Sequence, residues 1–569
     1  MLTGFGGGTR PGATPLLANP GEFDGCELLS CPSGSQVRRA LCRLGTAKQV
    51  FPMKTITRPT ALNTRDLVAI VAPLLLAACG GGSCLPVHGH PGQCAPPPPP
   101  PPTFRIFGYV AGLNGLGLTL SYNGSTPVAV TRNGAVPLAT NLHNGAGYNV
   151  AIANQPTNPA QTCTISNQSG AVDNFDVSVL VYCARAAGAW AFVATAGSIT
   201  TTPGVASVPG SLSTYAINPS SGALMLVPAS TVPTGPAVGT VQLIPHSTYV
   251  WSLNLGDASA TDNNTVSSID VYTADANSGL LTANAGNPFF TLNGTSATAA
   301  ACNGISGPGS AIAVTFAPSG EFGYGLLGGN PTQNNGTDVF TVAAGIPQSP
   351  GQAVPNDCAT PTIVDPSGQF AYYGALVGSG LYSLVPNTVD PTTGGLTELS
   401  GYGPPSLVES GPGPPTIDPY GRFIYSIRGN LIDGYTIDPV TGDVVDIGPF
   451  AGPAGAISML ISPDGGFAYV TASGGLYSYS IDDTGRLNSV GSPIALQIAA
   501  GQTLAAPGVT TATQIDPSGQ FLYVSASAGS DQQGIYAYTR DASTGALTLV
   551  PGSPFAVTSQ TLPLQLALY

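Results

Sequence analysis

Six stretches of the chain decide how the rest is read: LIPHSTYVWSL from Leu243, VTFAPSGEFGYGLL from Val314, IVDPSGQFAYYGAL from Ile363, TIDPYGRFIYSI from Thr416, LISPDGGFAYVTA from Leu460 and QIDPSGQFLYVSA from Gln514. Each is an apolar strand, a turn built on proline and a second strand carrying aromatic residues. Their prolines, Pro245, Pro318, Pro366, Pro419, Pro463 and Pro517, lie 73, 48, 53, 44 and 54 residues apart. This is the spacing of propeller blades with one insertion. A second element falls between the copies: YAINPSSGALMLVP from Tyr215, IDVYTADANSGLLTANAGNPF from Ile269, GYTIDPVTGDVV from Gly434, YSYSIDDTGRLNSVGSPI from Tyr477 and YAYTRDASTGALTLVPGSPF from Tyr536. Each predicts a hairpin turning at glycine, and two hairpins per repeat supply the four antiparallel strands of one blade.

The seventh copy is divided between two distant segments. TLPLQLALY, ending at Tyr569, reads as the first strand of the element, and WAFVATAG from Trp190 reads as its second. Pairing them closes a ring and leaves no sheet edge exposed. The fold class is therefore all-β: a seven-bladed β-propeller over residues 186–569, preceded by a small β-sandwich.

That sandwich is expected over 103–184. Short apolar runs (FRIFGYV, GLTLSYNG, VAVTRNG, YNVAIANQP, TCTISNQSG, VSVLVYC) alternate with turn signals there, six or seven strands in about 80 residues. The stretch resembles the immunoglobulin-like modules of bacterial surface lipoproteins. Cys163 and Cys183 fall in its last two expected strands and are read as a disulfide.

Upstream the composition changes. Residues 53–78 carry Lys54, Arg58 and Arg65, then an apolar run from Leu67 to Ala78 that is short for a membrane span. The run ends Leu76-Ala77-Ala78-Cys79. This resembles the lipobox of bacterial lipoproteins, in which the signal is removed before a lipidated cysteine, here Cys79. Residues 1–52 read as an upstream extension from a misassigned start. Residues 79–102, with seven consecutive prolines, form a spacer unable to build a core. The resemblance implies a lipid-anchored envelope protein. Gly80 in place of an aspartate after the cysteine favours the outer membrane, with the folded part facing the periplasm or the cell surface.

Glycine (75) and proline (54) make up nearly a quarter of the 569 residues, and charged residues only 8%, as suits short strands and turns. The formal net charge is −13, and from Cys79 onward it is about −17, seven arginines against 24 acidic residues and no lysine. Between Arg185 and Arg422 there is no cation of either type, which excludes nucleic acid as a partner.

The pairing of DPSGxFxYV with YxIDxxTGxLxxxxGSPF resembles the lactonase-type propeller family, which includes 6-phosphogluconolactonases. The matched residues are scaffold residues. Lactone hydrolysis needs a base, and cationic groups for an anionic substrate and the developing oxyanion. The family resemblance implies His, Glu and Arg together. The propeller offers His246, Glu321, Glu398, Glu409, Arg422, Arg428, Arg486 and Arg540. No family catalytic motif matches residue by residue, so no catalytic residue is assigned. His246 follows the turn proline and reads as a turn residue. Arg428, in a Gly-flanked loop, is the ligand-binding candidate.

The remaining constellations are structural on the same reading. Asp365, Asp418 and Asp516 recur at turns without the dense spacing of a calcium loop. Cys302 and Cys358 are a second disulfide candidate. In CLPVHGHPGQC, Cys84, His88, His90 and Cys94 offer a soft metal set, while an exported chain favours a Cys84–Cys94 disulfide. There is no G-x-S-x-G elbow and no phosphate-binding loop.

The leading expectation is thus a non-enzymatic envelope scaffold, without cofactor, that binds a protein, glycan or small ligand. The alternatives are a lactonase-like hydrolase and a metal-handling lipoprotein. The hydrolase is distinguished by convergence of Arg, Glu and His at the channel mouth.

Overall fold

The computed structural model describes residues 99–568 apart from loop segments, the longest being 196–208, 255–267, 291–312, 328–335 and 504–511, and three strands between residues 26 and 52. The chain divides into two units, 1–100 and 101–569. In the first, Cys26–Leu29, Arg39–Leu44 and Ala47–Pro52 form an antiparallel sheet. The second is all-β: the described residues contain no helix.

Its larger part is seven antiparallel sheets, each ordered as a path of four strands, to which all but blade 6 add a short fifth strand paired with the third. Blade 5 runs from Thr416–Ile417 through Phe423–Arg428 and Leu431–Ile437 to Val444–Asp446. We call these strands a to d, and the other blades repeat the order. Each strand a adjoins strand a of the next blade around the ring. Blade 1 takes strand a, Pro563–Leu568, from the far end of the sequence and pairs it with Trp190–Thr195. The closure expected from the divided repeat is therefore present.

Seven apolar clusters fill the seven gaps between blades, including the gap between blade 7 and blade 1, where Phe521 and Tyr523 meet Val193, Tyr215 and Leu566. A second device recurs in every gap. The second aromatic of strand b donates a hydrogen bond to a glycine carbonyl in the c–d turn of the next blade: Tyr324 to Gly394 (2.9 Å), Tyr372 to Gly442 (3.1 Å), Tyr425 to Gly485 (2.7 Å), Tyr469 to Gly545 (3.0 Å) and Tyr523 to Gly222 (3.0 Å). Trp251 does the same to Gly345 at 2.8 Å. In blade 1 the aromatic is Phe192, which has no donor, and Thr214 Oγ1 reaches Gly279 instead, at 2.8 Å. Burial pushes these phenols up, to about 12 for Tyr469, so they stay donors across the physiological range.

The glycines are required. Gly442 has φ +76° and lies so close to Phe370 that a Cβ would sit 2.3 Å from the ring. The F-x-Y spacing of the repeat thus has a physical meaning: Phe covers the next blade's turn and Tyr ties it.

The smaller part is a sandwich of two four-stranded sheets. One holds Thr119–Tyr122, Val128–Ala129, Gly147–Asn154 and Ser169–Ala171; the other holds Phe104–Ala111, Gly134–Leu142, Cys163–Ser166 and Val177–Cys183. Val110, Leu118, Leu120 and Val181 fill the space between them. Cys163 and Cys183 are direct cross-strand partners and form the expected disulfide.

Candidate functional site

The a–b turns of the propeller carry the sandwich. In blades 4, 5 and 7 each turn starts with an aspartate whose carboxylate accepts backbone N–H groups further along the turn. Asp365 Oδ1 takes Gln369 N (2.9 Å) and Phe370 N (2.8 Å), and Asp516 Oδ1 takes Phe521 N (2.7 Å). These aspartates are therefore turn caps, as their spacing suggested. In these three blades the residue after the turn proline meets the sandwich. Tyr420 packs on Phe107, Tyr109 and Ala111; Ser518 accepts a 3.5 Å hydrogen bond from Tyr182 at its carbonyl; and Ser367 closes on Gly134. Arg105 of the sandwich bridges its own Asp176 (2.7 Å) and Asp438 of blade 5 (3.1 Å).

Blade 2 departs from this pattern. Blades 3 to 7 place a glycine two residues after the proline, and it takes the positive φ: +74° at Gly320, +72° at Gly368, +76° at Gly421, +66° at Gly465 and +74° at Gly519. Blade 2 has Ser247 there, and the positive φ, +56°, moves onto His246. Ser247 N donates to the Ile244 carbonyl at 3.3 Å, closing a turn whose third residue takes the left-handed conformation. The partner that holds it is Asn114 of the sandwich, whose Oδ1 lies 2.8 Å from Nδ1. With a carbonyl oxygen as acceptor, Nδ1 carries the proton and Nε2 keeps its lone pair.

Two clefts share His246 and Asn114 as a common wall. The larger, about 710 Å³, is also lined by Gln161, Arg185, Pro517 and Leu568. The smaller, about 480 Å³, adds Arg132, Glu321 and Pro366. Both therefore lie between sandwich and propeller. Partial burial, and then the charge of Arg185, hold the His246 imidazole below its ordinary pKa, so it is neutral near pH 7. Desolvation likewise pulls the Arg185 guanidinium below its ordinary value.

The arginines sort cleanly. Arg105, Arg422, Arg428 and Arg540 form ion pairs with Asp176 and Asp438, Asp418, Asp433, and Asp464 respectively. Among the described residues Arg132, Arg185 and Arg486 have no carboxylate within ion-pair distance, and two of these three line the clefts around His246.

Arg428, the ligand candidate of the sequence, is not a loop residue. It ends strand b of blade 5 and donates from Nε and Nη2 to the two oxygens of Asp433, both at 2.7 Å, at the opposite end of the blade from the sandwich. Its charge is spent on its own hairpin. Glu398 ends the outer strand of blade 4, away from the clefts. Glu409, Cys79, Cys84, His88, His90, Cys94, Cys302 and Cys358 lie outside the described residues. His246, read as a turn residue, does occupy the turn, but it also faces the cleft. The signal that separates it was available: Pro-His-Ser where five other copies read Pro-x-Gly.

No family model and no curated protein matches the chain. Solved structures do. A candidate 6-phosphogluconolactonase from Bacteroides uniformis is similar at 15% identity and TM-score 0.47, over 67% of this chain and 100% of that one. A periplasmic gluconolactonase from Pseudomonas aeruginosa is similar at 16% identity and TM-score 0.47, over 66% of this chain and 99% of that one. A Lactobacillus plantarum protein has 16% identity and TM-score 0.46, over 67% and 99%. Identities this low leave the chemistry to this chain's own residues.

Proposed function

We propose that this chain is a lactonase-like hydrolase acting on a small sugar lactone in the cleft between sandwich and propeller. The observation that carries the reading is the convergence of His246, Arg185, Arg132 and Glu321 on two adjoining clefts. The discriminator read from the sequence was convergence of Arg, Glu and His at the channel mouth; the groups gather instead in the clefts between sandwich and propeller, and the arginines there, Arg132 and Arg185, come from the sandwich side rather than from the propeller's own four.

The chemistry follows from the groups present. Neutral His246 takes a proton at Nε2 from water, and the water oxygen bonds to the lactone carbonyl carbon. Arg185 faces the charge that develops on the carbonyl oxygen. The ring C–O bond then breaks, and the alkoxide leaving group recovers the proton from the imidazolium. The product is the open hydroxy acid.

Binding without turnover is the second reading, and the Asn114 hydrogen bond favours it, because the ring then fastens the sandwich to the turn. Hydrolysis of glucono-δ-lactone by the purified protein separates the two. Turnover lost in both His246→Gln and Arg185→Ala supports the hydrolase; turnover unchanged by either, or absent from the parent while the lactone still binds, rejects it.

Export and anchoring belong to the same proposal: Cys79 carries the lipid, residues 79–102 space the folded part from the outer membrane, and the sandwich is an immunoglobulin-like module. Radiolabelled palmitate incorporated by the parent and not by Cys79→Ala tests the anchor.

A further inference from the structure

The sandwich is more than a stalk. We infer that Asn114 is a positioning residue for His246, so that the reactive ring belongs to the propeller and its tautomer to the sandwich. This rests on the hydrolase reading for its consequence in catalysis, but not for the geometry itself.

Three observations converge on it. First, His246 is the only residue after a turn proline in blades 2 to 7 to have a positive φ; in blades 3 to 7 glycine takes that conformation. The turn, closed by Ser247 N to the Ile244 carbonyl at 3.3 Å, thus directs the histidine differently from its counterparts in the other blades. Second, the contact that holds it, from Nδ1 to Asn114 Oδ1 at 2.8 Å, spans 132 residues of sequence and crosses from one module to the other. A neutral imidazole has one N–H, and a carbonyl acceptor claims it at Nδ1, so the lone pair falls at Nε2. Third, Asn114 is itself fixed. Gln161 Oε1 accepts the backbone N–H groups of Asn114 and Gly115, both at 2.7 Å, and Gln161 Nε2 donates to Gly112 at 2.9 Å. Gln161 lines the larger cleft beside His246. The loop carrying Asn114 is thus pinned at the cleft wall, and Arg105 ties the same module to blade 5.

The test uses the full chain with Asn114→Ala, Asn114→Asp and the parent. Nitrogen-15 NMR of the histidine rings, with His246→Gln to assign the signal, reads the tautomer directly and needs no turnover. The parent is expected to show Nδ1 protonated and Nε2 bare. Asn114→Ala is expected to give a mixture of tautomers and a kcat for glucono-δ-lactone about tenfold or more lower, with KM little changed. Asn114→Asp places a carboxylate beside the ring, raises the His246 pKa and moves the acid limb of the pH–rate profile upward by the same amount. A parent His246 protonated at Nε2, or a tautomer and pH profile indifferent to both substitutions, overturns the inference. A fixed Nδ1–H tautomer lost in Asn114→Ala, in a protein that hydrolyses no lactone, leaves the positioning intact and rejects the hydrolase.

Discussion

The a–b turns of blade 5 and blade 2 occupy the same place in the repeat and do opposite things. In blade 5, Asp418 accepts the backbone N–H groups of Arg422 and Phe423, pairs with the buried Arg422 side chain at 3.0 Å, and leaves the positive φ to Gly421. Arg422 also lies over the Tyr420 ring, 5.0 Å from its centroid. The opposite charges of Asp418 and Arg422 are paired within the turn. In blade 2 the aspartate is Ile244, the glycine is Ser247, and the residue between is a histidine with an accessible ring. Regularity produces a scaffold, and the copy that breaks the consensus carries the histidine proposed above as the base.

That contrast can be broken from either side. The largest effect is expected in blade 5. Asp418→Ala strands a buried guanidinium and should cost about 3–5 kcal/mol, read as a shift in the urea midpoint, with kcat unchanged for the molecules that remain folded. Next, His246→Gln should lower kcat/KM on glucono-δ-lactone by about 100-fold while moving the thermal midpoint little. Stability lost to His246→Gln on the scale of Asp418→Ala would make the two turns equivalent. Ser247→Gly restores the consensus and lets glycine take the positive φ. It should stabilise by about 1 kcal/mol in the same denaturation assay, and lower activity as His246 relaxes out of its held position.

The smallest effects concern pH. His246 has a folded pKa below its unfolded one, so the unfolded state takes up the proton first and stability falls as pH drops from the unfolded value through the folded one. His246→Gln should flatten that part of the curve. Asp541 is held at about 2 by hydrogen bonds from Ser543 and Thr544, so its contribution is complete above the ordinary carboxylate range and is lost as pH falls toward 2. Blade 2 adds sensitivity near neutrality, and the c–d turns add it only in acid.

Much of the fold was legible because its determinants are local. A turn proline, a glycine with positive φ and alternating aromatic residues each act within a few positions, and repetition reports the proline six times and the glycine five. Closure by two distant strands was legible for the same reason, since each half of the seventh repeat keeps the pattern of its kind. The site was less legible. Arg428 stood out as a cation near glycines, yet Asp433, five residues on, neutralises it through the b–c hairpin. His246 passed as a turn residue because its partner, Asn114, lies in another module.

The sequence by itself therefore determined an all-β ring of seven blades, a preceding sandwich and the Cys163–Cys183 staple, because strand period, turn chemistry and cross-strand thiols are short-range properties. Only the tertiary structure decided which face of the ring the sandwich covers, and that Asn114, Arg132, Arg185, His246 and Glu321 line adjoining clefts there. Those residues span more than 200 positions of the chain. Their proximity follows from two modules packing on the turn tips, which no local pattern encodes.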